Sequence, residues 1–161
     1  MMFERRGGNT AMQTNHYPRF FIMIGLHFIA MYILMYAMVN AFENVVNSFN
    51  QVYMAALMTT SMVLIELPLM MSMYPSKRLN AVLIVVGALV LIGSFMFIRK
   101  QTAISDRQFL RSMIPHHAGA ILMCQEASIQ DPEIRRLCGG IVSSQQSEID
   151  QMKAMLDRLA R

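Results

Sequence analysis

Side chains that bind soft metal ions are concentrated near the middle of the last sixty residues. Met113 and His117 are four residues apart, and His116 and Met123 are seven apart, so each pair shares or nearly shares one face of a helix. Thioether sulfur and imidazole nitrogen suit Cu(I), and histidine also binds Cu(II). The alternative to metal binding is that one histidine of the pair is buried in a core and the other is exposed to solvent. The pattern favours a copper site that could also take Ag(I).

Methionine is unusually frequent, at 18 of 161 residues, and much of it follows i+4 steps in two apolar segments. Each step turns by about 40°, so the rows spiral around their helices. Methionine also fills irregular gaps between helices, so packing and a copper relay are both open interpretations. One ionisable residue in each row favours the relay, because such residues are costly inside a membrane. The candidate relay residues are Met23, His27, Met31, Met35, Met54, Met58, Met62 and Glu66, with Met38, Met70 and Met73 continuing the rows.

Three long apolar segments must position these side chains. They cover about 20–39, 52–73 and 81–98, close to the roughly 20 residues that cross a bilayer. Only 15% of the chain is charged, against about 25% in soluble proteins. We therefore predict a cytoplasmic tail at 1–19 and a three-helix transmembrane domain at 20–98, in contact with the lipid bilayer. A cleaved signal peptide is disfavoured because the first run exceeds the usual 7 to 15 apolar residues.

The flanking cations predict the orientation. Lys and Arg are enriched in cytoplasmic loops. They occur in the N-terminal tail and in the turn at 75–79, between the second and third apolar segments, whereas the 40–51 loop has none. The N-terminus is then cytoplasmic, and residues 99–161 lie outside, in the periplasm of a bacterial inner-membrane protein. Arg99 and Lys100 oppose this orientation. The cations that support it are Arg5, Arg6, Arg19, Lys77 and Arg78.

The last sixty residues predict two amphipathic helices. Ser105 and Gln108 have capping-box spacing, so one helix is expected from Asp106 to about Ser128. Asp131 precedes a proline and predicts the N-cap of a second helix over about 132–159. The short connection predicts an antiparallel helical hairpin at 99–161, so the whole fold is all-α.

The hairpin register places particular side chains opposite one another. Cys124 faces Cys138, which allows either a disulfide or two buried small hydrophobes. Met113 and His117 face the stretch 145–148. Phe109 begins the face that these residues of the first helix share.

These residues also resemble a known pattern. Met113-Ile114-Pro115-His116-His117 with Ala120 and Met123, followed by Gln145, Glu148, Ile149 and Met152, is similar to MIPHHxxAxxM and QxxEIxxM of the DUF305 family. The resemblance covers about 103–159. It implies a helical, ferritin-like domain, and some members of that family are periplasmic copper-binding proteins.

The resemblance also implies a ligand set. Carried over from the family pattern, the metal ligands are Met113, His116, His117, Met123 and Met152. Gln145 or Glu148 would hydrogen-bond to these ligands and orient them without contacting the metal. Spacing alone adds Met155.

Two functions follow. The first is a copper-binding membrane protein for copper buffering, tolerance or transfer, which would need a homo-oligomer to enclose a path and could exchange copper with a periplasmic copper protein. The second is a methionine-rich structural protein whose hairpin docks to a partner without metal. A net charge of +4 without a basic cluster argues against nucleic acid. An enzyme is not expected, because Glu-x-x-His pairs and phosphate-binding loops are missing from the sequence.

Overall fold

The computed structural model describes residues 16–161, and every regular element in that range is helical. The all-α prediction is therefore confirmed for these residues. Arg5 and Arg6, and most of the predicted tail, lie outside the described range. The helices are α1 (Tyr17–Leu34), α2 (Phe49–Leu69), α3 (Lys77–Lys100), α4 (Asp106–Glu126) and α5 (Pro132–Leu159), with short 3₁₀ turns at Met35–Met38, Phe42–Asn44 and Met71–Met73.

Three helices are long and apolar enough to cross a membrane: Tyr17–Met38, α2 and α3. The helices have different limits from the predicted apolar segments. An apolar segment ends at the first polar residues, whereas the hydrogen bonds of the helix backbone continue through those residues. The side chain of Ser48 accepts from the backbone N–H of Gln51, and that of Ser76 accepts from Leu79. Both helices therefore begin earlier than the apolar segments.

Helix α2 packs against both α1 and α3. Gly87 allows the close approach of α3, since a Cβ there would lie 3.1 Å from Leu64 Cδ2. At one end of these helices Phe20 and Leu67 are fully buried beside Tyr74. Most of the remaining large side chains on α1 and α3 are exposed and apolar, a surface that is compatible with lipid.

Helices α4 and α5 share a second core. Ile114, Ile121 and Ile149 are fully buried in it. A disulfide joins Cys124 to Cys138, with their Cα atoms 5.2 Å apart.

The ends of α4 and α5 test the predicted caps. Asp131 caps α5 by accepting from the backbone N–H groups of Glu133 and Ile134, as predicted. Ser105 precedes α4 but makes no side-chain cap. The capping-box prediction was wrong, because the Gln108 side chain instead accepts from the backbone N–H of Phe49.

The buried face of α4 is shifted by one residue from the predicted face. Leu110 and Ile114 are buried, whereas Phe109 is half exposed. This shift arises because α4 contacts a second neighbour besides α5. Its other side approaches the chain after α1, where a Cβ added to Gly119 would lie only 3.5 Å from the carbonyl oxygen of Met38.

Polar contacts hold α4 on the ends of α2 and α3. The amide of Asn50 donates to Ser112 Oγ at 3.1 Å and to Gln101 Oε1 at 2.9 Å. The hydroxyl of Tyr53 donates to the carbonyl of Thr102 at 3.0 Å. Gln101 ends α3 with a left-handed φ of 49°, which turns the chain toward α4.

Candidate metal centre

One cavity lies where α4 rests on the ends of α1, α2 and α3. Its volume is about 580 Å³, and its walls come from four separate parts of the chain. Its lining is rich in thioether sulfur and includes one imidazole. The metal-binding side chains of the lining are Met35 and Met38 after α1, Met54 of α2, and Met113, His116 and Met123 of α4.

The local sequence explains why this space stays open. Gly119 and Ala120 line the α4 wall and carry little or no side chain. Pro115 lies in the same wall inside α4 and is buried. Ser112 and Asn50 line the cavity as well, so the hydrogen bond between them sets the distance between its α4 and α2 walls.

The two adjacent histidines have different environments. Neighbouring residues of an α-helix point about 100° apart. His116 is exposed at the cavity, and its ring makes no hydrogen bond among residues 16–161, which leaves a ring nitrogen able to bind a metal. The ring of His117 lies 6.1 Å away, on the buried side of α4.

His117 uses both ring nitrogens in contacts within the protein. Nδ1 lies 2.9 Å from the Met113 carbonyl oxygen, which can only accept, so Nδ1 donates. Nε2 lies 2.6 Å from Oε2 of Glu148 on α5. A metal could reach Nε2 only after Glu148 moved away. In this arrangement His117 ties α4 to α5 and orients the backbone beside Met113.

The remaining predicted hairpin residues lie away from the cavity. Met152 is buried in the α4–α5 core, next to Ile114 and Ile149. Met155 is 41% exposed, and Gln145 is partly buried. None of the three lines the cavity, which draws no residue from α5.

The predicted relay residues are divided between several places. Met35 and Met54 line the cavity, together with Met38, which the sequence analysis noted only as a continuation of the first row. Met23 and Glu66 lie in a smaller pocket at the other end of the helices. The other members lie along the helices between these two places. His27 faces a shallow depression on the surface of α1, and Met31 is half buried. Met58 is 42% exposed, and Met62 packs against the Phe20–Leu67 core.

Oxygen- and nitrogen-rich metal sites are not found in the described part of the chain. Between residues 16 and 161, no three His, Cys, Asp or Glu side chains are grouped so that they could hold a metal ion. The cavity is where the thioethers of separate segments converge.

The fold and this cavity define an all-helical protein with three membrane-length helices and a two-helix segment that carries the histidine pair. Residues 94–156 match the family model described as a domain of unknown function (DUF305). The match runs from the end of α3 through most of α5. The chain belongs to the DUF305 family, as the histidine and methionine pattern predicted.

A full-length relative supports this membership. The chain is 31% identical over 139 residues to the uncharacterized protein L153 of Acanthamoeba polyphaga mimivirus, which covers 84% of this chain and 90% of the relative. The aligned length exceeds the family domain, so the similarity extends into the membrane-length helices. No solved structure matches the chain.

Proposed function

We propose that the protein binds Cu(I), with Ag(I) as an alternative cargo, in the cavity at the junction of α4 and the three membrane-length helices. The observation that carries this proposal is the convergence of five methionines and His116 on one space. The protein would serve copper buffering, tolerance or transfer. Thioether and imidazole donors are both neutral, and the thioethers are soft. A site dominated by thioethers suits Cu(I) better than Cu(II), which prefers nitrogen and oxygen in a tetragonal arrangement.

The ligands of this site would be Met54 of α2, Met113, Met123 and His116 of α4, and Met35 or Met38. Helices α4 and α5 act as a helical hairpin in which His117 and Glu148 hold the α4 wall in place. This assigns the two adjacent histidines different tasks: His116 binds the metal and His117 orients the helix that carries it.

For the location, we propose a bacterial inner membrane with the N-terminus in the cytoplasm and α4–α5 outside. The disulfide between Cys124 and Cys138 supports this orientation, because disulfides persist in oxidising compartments. A site there could exchange copper with a periplasmic copper protein. A path through the membrane would require a homo-oligomer, because three helices hardly enclose one. A reporter fused after Arg161 that is active only in the cytoplasm would overturn the orientation.

Metal binding to the purified full-length protein in detergent tests the proposal. Cu(I) affinity is measured by competition with a chromophoric chelator, for the wild type and for His116→Ala/Met54→Leu. We expect at least about a tenfold loss in the double variant, since even residues that only orient ligands cost 10 to 100-fold. Met155→Leu is the matched control: this methionine is on α5, away from the cavity, and its loss should leave affinity unchanged.

Two results would overturn the proposal. One is a wild-type protein that binds no Cu(I), which would leave the partner-docking alternative. The other is an equal loss of affinity in the double variant and in Met155→Leu, which would show that the cavity is not the site.

A further inference from the structure

A second pocket rich in sulfur lies at the opposite end of the membrane-length helices. Its volume is about 250 Å³. Met23 of α1 and Met70 and Met73, which follow α2, contribute three thioethers. Glu66 supplies a carboxylate, and His16 supplies an imidazole at the start of α1.

Glu66 is the unusual member of this pocket. Among residues 16–161 its carboxylate makes no hydrogen bond and no ion pair, although the exposed Arg19 lines the same pocket. Glu66 lines this pocket together with Tyr74. Glu66 lies about one turn before the end of α2, and an ionisable side chain within an apolar helix is costly and commonly marks a functional position. A bound cation would offset that cost.

Packing alone does not account for the composition of this pocket. Met23 and Met70 also contact the Phe20–Leu67 core, so packing is a sufficient reason for those two. It is not a sufficient reason for Met73, which is 40% exposed, or for a carboxylate beside it. A hydrophobic side chain would fill the same space at lower cost.

We propose that Met23, Met70 and Met73 form a second soft-metal site with Glu66 as the counter-charge, taking Cu(I) or Ag(I). The identity of the metal rests on the function proposed above. The site itself rests on the lining of this second pocket. Below, the "inner site" means Met23, Met70, Met73 and Glu66, and the "outer site" means the cavity lined by Met54, Met113 and His116.

The two sites are well separated along the helices. From Met23 to Met35 on the first helix is roughly 18 Å, and from Met54 to Met70 on the second is roughly 24 Å, at 1.5 Å per residue. Each site therefore lies near one end of the membrane-length helices. Such a pair would allow metal to be held at both faces of a membrane, and a metal ion could bind one site without contacting the other.

Methyl NMR on the full chain distinguishes the two sites. Protein labelled with ¹³C at the methionine ε-methyl group is titrated with Ag(I) nitrate in chloride-free detergent solution, because a coordinated sulfur shifts the resonance of its own methyl group. We expect the resonances of Met23, Met70 and Met73 to shift together with those of the outer site. The resonance of Met155 should not move. Shifts confined to the outer methionines would overturn the inner site and leave the proposed function standing.

Two variants complete the test. Met70→Leu/Met73→Leu should bind about one Ag(I) fewer per chain while Met54 and Met113 still shift, since leucine has a similar volume but offers no donor. Glu66→Gln keeps the shape of the side chain and should weaken the inner site at least about tenfold without changing the outer one. Unchanged stoichiometry in the first variant together with unchanged inner affinity in the second would refute the inner site. If the inner methionines shift while the outer ones do not, the proposed function at the outer cavity fails and the inner site survives.

Discussion

The contact between His117 and Glu148 provides a sharp test of how the α4 wall is held. Replacing Glu148 by alanine removes the partner of Nε2 and leaves the ring, which is only 7% exposed, bonded through Nδ1 alone. Replacing it by glutamine keeps an amide, which can form a hydrogen bond with Nε2 as donor or as acceptor. The two substitutions therefore separate the loss of the hydrogen bond from the loss of the charge.

The expected magnitude follows from the burial of the two partners. A buried donor or acceptor left without a partner costs about 1 to 3 kcal/mol. The Glu148 side chain is 51% exposed, and water screens the contact from that side, so the lower part of this range applies. We expect Glu148→Ala to reduce the stability of α4–α5 packing by about 1 to 2 kcal/mol, and Glu148→Gln by less than about 1 kcal/mol.

Hydrogen–deuterium exchange on the full-length protein measures this loss where it occurs. A loss of about 1 to 2 kcal/mol corresponds to opening that is about 5 to 30 times more frequent. Amides of α4 and α5 around these two residues should therefore exchange faster by that factor in Glu148→Ala. Amides in the middle of α2 and α3 should be unaffected, because the hydrogen bond that is removed joins α4 to α5.

Two results would refute this reasoning. Unchanged exchange in Glu148→Ala would show that the contact does not hold α4. A Cu(I) affinity that rises when Glu148 is removed would show that His117 becomes a ligand once Nε2 is released, so its primary role would be metal binding. We expect the affinity instead to fall about tenfold, because the α4 wall that carries His116 is held less firmly without this contact.

Three further perturbations test other parts of the structure. Cys124→Ala/Cys138→Ala opens a loop of 14 residues and should cost about 3 kcal/mol of α4–α5 stability, measured by urea unfolding of the full chain; equal midpoints would contradict this. Ile114→Ala, at a fully buried position, should cost about 2 to 5 kcal/mol in the same assay, and a loss below about 1 kcal/mol would contradict the core described here. Asn50→Ala removes the bond to Ser112 and should weaken Ag(I) binding about tenfold, whereas unchanged binding would show that this contact does not position the cavity walls.

Local features of the chain were predicted well because their causes are local. The apolar segments and the Asp131 cap depend on neighbours in sequence, and the helices they imply are present. The Ser105 cap failed because its partner, Gln108, bonds to Phe49, which is 59 residues away. The face of α4 was shifted because a second neighbour, the segment around Met38, also covers that helix.

Only part of the candidate site could be predicted, because the rest depends on contacts between residues that are distant in the sequence. The i+4 spacing of Met113 and His117 and the i+7 spacing of His116 and Met123 identified these four residues as a donor group. Spacing within one helix cannot show that Met35 and Met54 face them across a cavity, because that depends on how α4 docks. Nor can spacing show which of two adjacent histidines turns inward.

The docking of α4 onto the membrane-length helices makes the candidate metal centre a property of the whole chain. The family domain, residues 94–156, supplies His116, Met113 and Met123, but Met54 and the methionines after α1 lie outside it. A fragment cut at the predicted boundary before residue 99 would present one wall of the cavity to solvent. Joining that fragment to another membrane anchor would transfer the recognisable motif without Met54 and the methionines after α1, so it would not rebuild the cavity.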